Sequence, residues 1–359
     1  MNKTLLVHKN EINKIKLNES PIPEIQDGEV LLRIEKFAMT TNNITYAVVG
    51  HRIGYWNFFP AEEPFGIVPV WGYASVVESK HDGVGVGERV YGYFPMGNFL
   101  KVKVGKNNPF GFVDVAEHRV KLPKIYNFYP KVKNDMAYDA STENYAPIFR
   151  PLFTTSFLNY HFLKENNFFG AEQILITSAS SKTGLGLGYL LHHNQATDGK
   201  KVIGLTSSRN VDFVKGAGYY DQVISYGDLE KELPNNASTI VDMAGNSKLL
   251  HRAHQYLGDH LKFVSLIGIA DWSAEKEFRS IPNSNFFFAP AFAQIIYEKW
   301  GVEKANQVIA EEFANFTKDA SSWVTLEEIN SMEALSKLYL QLLGGKVDPS
   351  KGYLFLSEE

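Results

Sequence analysis

Near-continuous apolar runs alternate with helical patterns through the second half of the chain. "QILIT" (173–177), "KKVIGLT" (200–206), "QVISY" (222–226), "STIVDMAG" (238–245) and "LKFVSLIGIA" (261–270) hold apolar or β-branched residues with little polar alternation. "NVDFVKGAG" and "NSKLLHRAHQYLG" lie between such runs and carry helical spacing. Strands apolar on both faces, separated by helices, predict a parallel sheet covered on both sides. The first 110 residues read mostly as β. "GEVLLRIEKFAM" (28–39) and "WGYASVVES" (71–79) are β-rich, and "GVGVGERVYGYF" (83–94) leads through glycine turns into another strand.

Residues 105–150 are rich in Asn, Lys, Pro and Tyr with weak periodicity, which predicts a long ordered excursion or a lid. "TTSFLNYHFLKENN" (154–167) spaces Phe157, Tyr160, His161 and Leu163/Lys164 as one helix entered from Pro151. The tail, "VTLEEINSMEALSKLYLQLLGGKVDPSKGYLFLS", reads as a helix ended by Gly-Gly and then a final strand. One stretch, "ILITSASSKTGLGLGYLL" (174–191), has the form of a strand, a tight anion-holding turn and a closely packed helix. A nucleotide P-loop needs glycine where Ile176 and Ser181 stand, so that reading is set aside.

Composition narrows the choices. With 359 residues, 44% of them hydrophobic and 21% charged, the chain is an ordinary globular protein of two domains. A net charge of −4 gives no electrostatic footprint for nucleic acid. No apolar run approaches the roughly 20 residues a membrane span needs, and "MNKTLLVHKNEINKIKL" lacks an export signal's apolar region. Cysteine is absent, which excludes disulfides, thiolate nucleophiles and cysteine-ligated zinc and fits a cytoplasmic protein. The 25 Phe and 18 Tyr suit either an aromatic core or an aromatic-walled pocket.

Three stretches together resemble the zinc-free, quinone-oxidoreductase-like branch of the medium-chain dehydrogenase/reductase superfamily. They are "GEVLLRIEKFAMTTNNITYAVVG" with "VPVWGYASVVES…GVGVGERVYGY"; 174–191 continuing through "GLTSSRNVDFVKGAGYYDQVISY" and "TIVDMAGN"; and "LEEINSMEALSKLYLQLLGGKVDPSKGYLFLS". The subgroup it is most similar to is a poorly characterised bacterial one. The resemblance implies an α/β protein whose GroES-like, mostly-β catalytic domain is split around a central Rossmann parallel-sheet domain. The expected boundaries are 1–152 (with an extra segment, 105–150, lacking a family counterpart), 153–290 for the Rossmann NADP-binding domain, and 291–359 returning to the catalytic domain. Where zinc-dependent relatives carry a Gly-His-Glu ligand segment, this chain has Val70-Trp71-Gly72, so no metal site is expected.

The superfamily's turn often reads G-A-A-G-G-V-G; here it is Ser178-Ala179-Ser180-Ser181-Lys182-Thr183-Gly184. Only the glycine that permits close packing remains, with Gly186 and Gly188 extending the small helix face. Ser180, Ser181 and Thr183 can offer hydroxyls and Lys182 a charge to a pyrophosphate; the alternative is a serine-rich corner whose hydroxyls cap the helix. The second strand ends in Ser207-Ser208-Arg209 with no acid for a ribose diol, which favours the 2′-phosphate of NADP(H). Lys215, Tyr226 and Gly268 are further cofactor-binding candidates by resemblance, and a solvated loop is the plain alternative for Arg209.

The nicotinamide brings the hydride, so the protein must orient and polarise the acceptor. Zinc-free relatives often use a Tyr donor, and the resemblance implies Tyr46 or Tyr55 for it, with Asn42, Asn43 and Thr45 donating to a carbonyl oxygen. Each tyrosine can instead be a core aromatic, and each asparagine a loop cap. His51 and Arg52 share the loop, and Trp56, Phe58, Phe59 and Trp71 form either an apolar wall or a buried support. The expected function is zinc-independent, NADPH-dependent hydride transfer to a conjugated carbonyl: a quinone, enone or enoyl compound. The substrate is then a small apolar or aromatic molecule. The rivals are a metal-free reductase of a simple carbonyl and a non-catalytic NADPH-binding sensor or interaction protein. A homodimer is expected through the Rossmann sheet edge, with "NSNFFFAP" (283–290), just after the last strand, supplying apolar surface.

Overall fold

A computed structural model describes residues 1–194, 199–267, 281–345 and 347–357. The chain forms two compact units, Met1–Ile148 with Val324–Glu359, and Phe149–Trp323. The return to the first unit therefore falls at Val324 rather than at 291. The helices Ala289–Trp300 and Val302–Ala320 pack within the second unit, through contacts such as Phe153 on Phe316 at 4.8 Å.

In the second unit six parallel strands lie in the spatial order Gln222–Ser225, Lys201–Thr206, Gln173–Thr177, Ser238–Asp242, Leu261–Leu266, Ser284–Phe286. Numbered along the chain this is 3-2-1-4-5-6, the doubly wound Rossmann arrangement. The central strand Gln173–Thr177 is buried at every position, as its unbroken apolar run requires. Helix Ser247–Leu257 covers one face with Leu249, Leu250, Ala253 and Leu257, packed on Leu175, Ile203, Ile240 and Val264. Its first turn is fixed by the Asn246 side chain, which accepts from the Leu249 amide at 3.1 Å. On the other face Ala179, Val214 and Val223 pack together.

Three sequence expectations need correction here. The helix after the excursion is Ala146–Glu165, so Pro151 lies inside it rather than at its entry. Residues 283–290 do not follow the last strand. They contain it, because Ser284–Phe286 is the sheet's edge, with Phe286 and Phe288 exposed and Phe287 buried. The tail holds a strand, Thr325–Ile329, before its helix Met332–Leu343; it pairs in parallel with the final strand Lys351–Leu356.

In the first unit Glu29–Met39 is the central strand, paired with Pro69–Ser79, Phe99–Asn108 and Lys351–Leu356. Gly72 is required where Pro69–Ser79 crosses it, since a Cβ there would lie 2.0 Å from the Lys36 carbonyl oxygen. The 105–150 segment is ordered: Phe99–Asn108, Gly111–Asp114 and Phe128–Pro130 form an antiparallel extension of the sheet. Its last part is tied down by Glu143, which meets Arg89 at 3.0 Å and Lys36 at 2.7 Å. Among the described residues no helix is long and apolar enough to cross a membrane.

Candidate functional site

In a doubly wound sheet, ligands bind outside the carboxyl ends of the strands where the order reverses, here between Gln173–Thr177 and Ser238–Asp242. The turn 178–181 leaves the first of these strands at that point. Ser178 takes a left-handed conformation, φ +48°, and its amide donates to the Tyr226 hydroxyl at 3.0 Å. The Ser181 amide closes the turn on the Ser178 carbonyl at 2.8 Å. Ser181 then caps the helix Lys182–His193 by accepting from the Gly184 amide at 3.0 Å. Gly184 has no room for a side chain, since its Cβ would lie 2.8 Å from the Ser178 carbonyl oxygen.

Two of the serine hydroxyls are engaged within the protein, Ser181 in the helix cap that the sequence offered as the alternative to phosphate binding. Ser180 is buried, and its oxygen accepts from Thr206 at 3.2 Å and Asn210 at 3.0 Å, which ties the first turn to the end of the second strand. Ser181 serves the helix cap. Lys182 and Thr183 are half-buried at the helix start, where the amides and the helix dipole favour an anion. At the end of the second strand Ser208 and Arg209 are exposed, while the Ser207 hydroxyl is enclosed without a hydrogen-bond partner. Lys215 is exposed on the helix Val211–Ala217, and Gly268 lies outside the described residues.

Across the switch point Thr177 donates to the Asp242 carboxylate at 2.5 Å, and the Ala244 and Gly245 amides donate at 3.2 and 3.1 Å. Burial pushes the Asp242 carboxyl up to about 6 against those three bonds. Asp242 and Thr177 were not among the sequence candidates. Their signal was an acid at the carboxyl end of a buried parallel strand.

The candidate chemical groups of the first unit come together around residues 41–59, folded as helices Thr41–Val48 and Gly50–Ile53 and a short turn of helix Tyr55–Asn57. The tyrosines Tyr46 and Tyr55 are in ring contact at 4.5 Å. Tyr46 accepts a bond of 3.4 Å from the Trp71 indole, and Asn42, one helical turn away, also bonds its hydroxyl. Tyr55 and Tyr126 hydroxyls meet at 3.4 Å. Tyr93 lies beneath, 4.7 Å from Tyr126 and 4.9 Å from Trp71, its hydroxyl enclosed and turned to that of Tyr46. Burial holds all four phenols above the ordinary range, so each remains protonated and a donor.

Asn43 is not available to a substrate. It is buried, accepts from the Thr40 amide at 2.8 Å and donates to the Pro69 carbonyl at 2.9 Å, which makes it a helix-start anchor. Phe58 and Phe59 are buried against the Arg119 guanidinium, 5.2 and 5.1 Å from their ring centres. Trp56 is buried as well, wedged between Gly50 and Gly66, where a Cβ would come within 2.4 and 2.5 Å of its ring. These three support the loop and do not face a ligand. His51 and Arg52 are exposed, and Thr45 turns back to its own helix at 3.5 Å. Tyr93, Tyr126 and Arg119 are the residues that sequence reasoning missed.

Among the described residues no group of three or more His, Asp or Glu is placed to hold a metal ion. Trp71, in the segment where zinc-dependent relatives carry ligands, packs on Tyr91 at 5.6 Å and Tyr126 at 5.9 Å.

The family described as "protein of unknown function (DUF2855)" matches residues 37–348, and the chain belongs to it. No curated protein matches the sequence. Among solved structures, CurA from Vibrio vulnificus in complex with NADPH is 14% identical over 99% of each chain, with a TM-score of 0.62. The quinone oxidoreductase from Coxiella burnetii is 15% identical over 99% of each chain, with a TM-score of 0.57. S. aureus TarJ in complex with NADPH is 11% identical over 100% of this chain and 99% of its own, with a TM-score of 0.55. The chain shares the fold of these structures, in which its mostly-β unit is split around a Rossmann unit.

Proposed function

We propose that this DUF2855 member is an NADPH-dependent oxidoreductase that delivers hydride to a conjugated carbonyl without a metal. The observation that carries the reading is the cofactor end of the Rossmann sheet. A tight turn with Gly184 pressed on the Ser178 carbonyl opens a helix at the switch point, and the second strand ends in Ser207-Ser208-Arg209 with no acid. The residues present fit NADPH. The enclosed, unpartnered Ser207 hydroxyl beside the exposed Arg209 suits a 2′-phosphate, and the helix start at Lys182-Thr183 suits the pyrophosphate. Three similar structures named for NADPH or quinone chemistry point the same way.

A bound nicotinamide supplies the hydride. The chain must then hold the acceptor's oxygen while charge develops on it, and buried phenols suit that role because they donate without ionising. Tyr55 is the better-placed donor, since its hydroxyl and that of Tyr126, 3.4 Å away, carry two protons of which one can be given to a ligand, whereas the Tyr46 oxygen is hemmed in by Trp71 and Asn42, which both donate to it. Asn42 supports Tyr46, and Asn43 holds the loop. Two copies would pair through the edge strand Ser284–Phe286, whose Phe286 is exposed.

A second reading is favoured by the near-complete burial of Tyr46 and Tyr55, each 7% exposed: a cofactor-binding protein without turnover. The deciding experiment follows NADPH oxidation with quinones, enals, enoyl thioesters and simple ketones. Turnover confined to conjugated acceptors, unaffected by chelators, supports the proposal. NADPH binding with no turnover across the panel selects the second reading, and turnover of simple ketones alone selects a different reductase.

A further inference from the structure

The 105–150 segment delivers one side chain into the tyrosine cluster, and the rest of the segment is built to hold it. Arg119 is fully buried and grips the backbone around that side chain. It donates to the Tyr126 carbonyl at 2.6 Å and to the Asn127 side chain at 2.9 Å, and Asn127 donates back to the Arg119 carbonyl at 2.8 Å. The Tyr126 ring consequently lies over Tyr93 at 4.7 Å and beside Phe58 at 5.3 Å, with its hydroxyl 3.4 Å from that of Tyr55. Unlike Tyr93 and Tyr55, Tyr126 is only half-buried, so it is the member a small molecule meets first.

The hydrogen count of this cluster is unbalanced. Tyr55 and Tyr126 can satisfy only one of their two protons through each other. One donor is therefore left over in a largely aromatic setting, where an unmet donor is costly. What balances it is an oxygen that accepts and does not donate. The Arg119 cation beside the cluster is already engaged by Asp114 at 3.5 Å and by its three other acceptors, so it calls for no anionic ligand.

We propose that Tyr126 is a specificity-determining residue that selects flat, neutral molecules bearing a carbonyl oxygen, its ring stacking on them and its hydroxyl donating to that oxygen. This rests on the reductase reading for its purpose and names the acceptor class of the same site. An aliphatic alcohol or amine brings a donor to a place already rich in donors, and a saturated chain forgoes the ring contacts.

The test compares two probes of one shape, 1,4-naphthoquinone and naphthalene, titrated calorimetrically into the full-length protein with NADP⁺ present. The wild type is expected to bind the quinone at least tenfold more tightly. Tyr126→Phe should reduce quinone affinity about three- to tenfold and leave naphthalene unchanged, as loss of one hydroxyl donor predicts. Tyr126→Ala should weaken both. NADP⁺ affinity should stay constant in each variant, and near-UV circular dichroism of Tyr126→Phe reports intact packing should the alanine variant not fold. Equal binding of the two probes by the wild type, or unchanged quinone affinity in Tyr126→Phe, overturns the proposal. Quinone binding through Tyr126 with no NADPH oxidation by any acceptor defeats the reductase reading alone, and turnover indifferent to Tyr126 defeats this inference alone.

Discussion

Replacing Arg119 by Met should loosen the whole 105–150 extension, by an amount that depends on pH in a calculable way. Arg119 and Asp114 are both fully enclosed, their charged groups 3.5 Å apart. Met keeps most of the volume but leaves the Asp114 carboxylate without its cation. The carboxylate can escape only by taking up a proton. Relative to an unfolded chain with the ordinary value of 3.8, that costs at most about 4.4 kcal/mol at pH 7 and about 1.6 kcal/mol at pH 5. The sign follows from a raised carboxyl: its stabilisation is complete below 3.8 and is lost as pH rises. To this is added a pH-independent loss at the Tyr126 carbonyl, Asn127 and Tyr129, about 1–3 kcal/mol for each acceptor left unmet.

The total at pH 7 approaches the whole stability of an ordinary domain, so the effect must be read locally. Amide hydrogen exchange of Gly111–Asp114 and Phe128–Pro130 does this, because Asp114 ends the first strand and Arg119 bonds the Tyr129 hydroxyl of the second. Protection should fall sharply in Arg119→Met at pH 7 and recover in part at pH 5. The double variant Arg119→Met, Asp114→Asn should keep the loss of acceptors but remove the pH dependence, which isolates the charge contribution. A loss below about 1 kcal/mol at pH 7, or equal losses at pH 5 and 8, would refute the reasoning, since it would mean that water reaches Asp114.

Other perturbations probe the second unit. Arg209→Ala should weaken NADPH roughly ten- to a hundredfold, the value of a charge-assisted contact of about 1.5–3 kcal/mol, and leave NADH nearly unchanged in fluorescence titrations; equal loss of both cofactors would show that Arg209 serves the loop alone. Gly184→Ala should abolish tight NADPH binding because its Cβ meets backbone at 2.8 Å, whereas Gly216→Ala, with open space around it, should raise the unfolding midpoint through about 0.5–1 kcal/mol of helix propensity. For Asp242, a folded value of about 6 against 3.8 unfolded means stabilisation complete below 3.8 and lost as pH rises through 6, about 3 kcal/mol in all. About 1.4 kcal/mol of this falls between pH 5 and 8, so in urea titrations the wild type should lose that much against Asp242→Asn over this range; parallel curves would place the carboxyl at its ordinary value.

What the sequence disclosed and what it hid follow one physical division. A strand buried on both faces must be apolar at every position, so Gln173–Thr177 and its neighbours could be found from composition alone, and the switch point with them. Glycine against backbone is equally local: Gly184 touches Ser178 and Ala179, only a few residues away. Hydrogen-bond roles are not local. Whether Asn43 faces a substrate is decided by the Pro69 carbonyl, 26 positions along the chain, and whether the Ser180 hydroxyl is free is decided by Thr206 and Asn210. The same residue types in the same loop would read identically with or without those partners.

The 105–150 segment is the extreme case. Its strands Gly111–Asp114 and Phe128–Pro130 are too short for a period to emerge, and they are held in part by one arginine whose acceptors are a carboxylate, an amide, a phenol and a backbone carbonyl. A segment held partly by such polar centres needs less of an apolar pattern, and for that reason it looked like an excursion. It also explains why the segment can carry a functional side chain. An apolar core tolerates small shifts, but a guanidinium with fixed donor directions sets the position of the Tyr126 carbonyl closely, and hence of its ring over Tyr93. The cost of that placement is a buried ion pair, which is a poor source of stability in itself. Its retention makes sense where the position of one ring matters more than the strength of the fold around it.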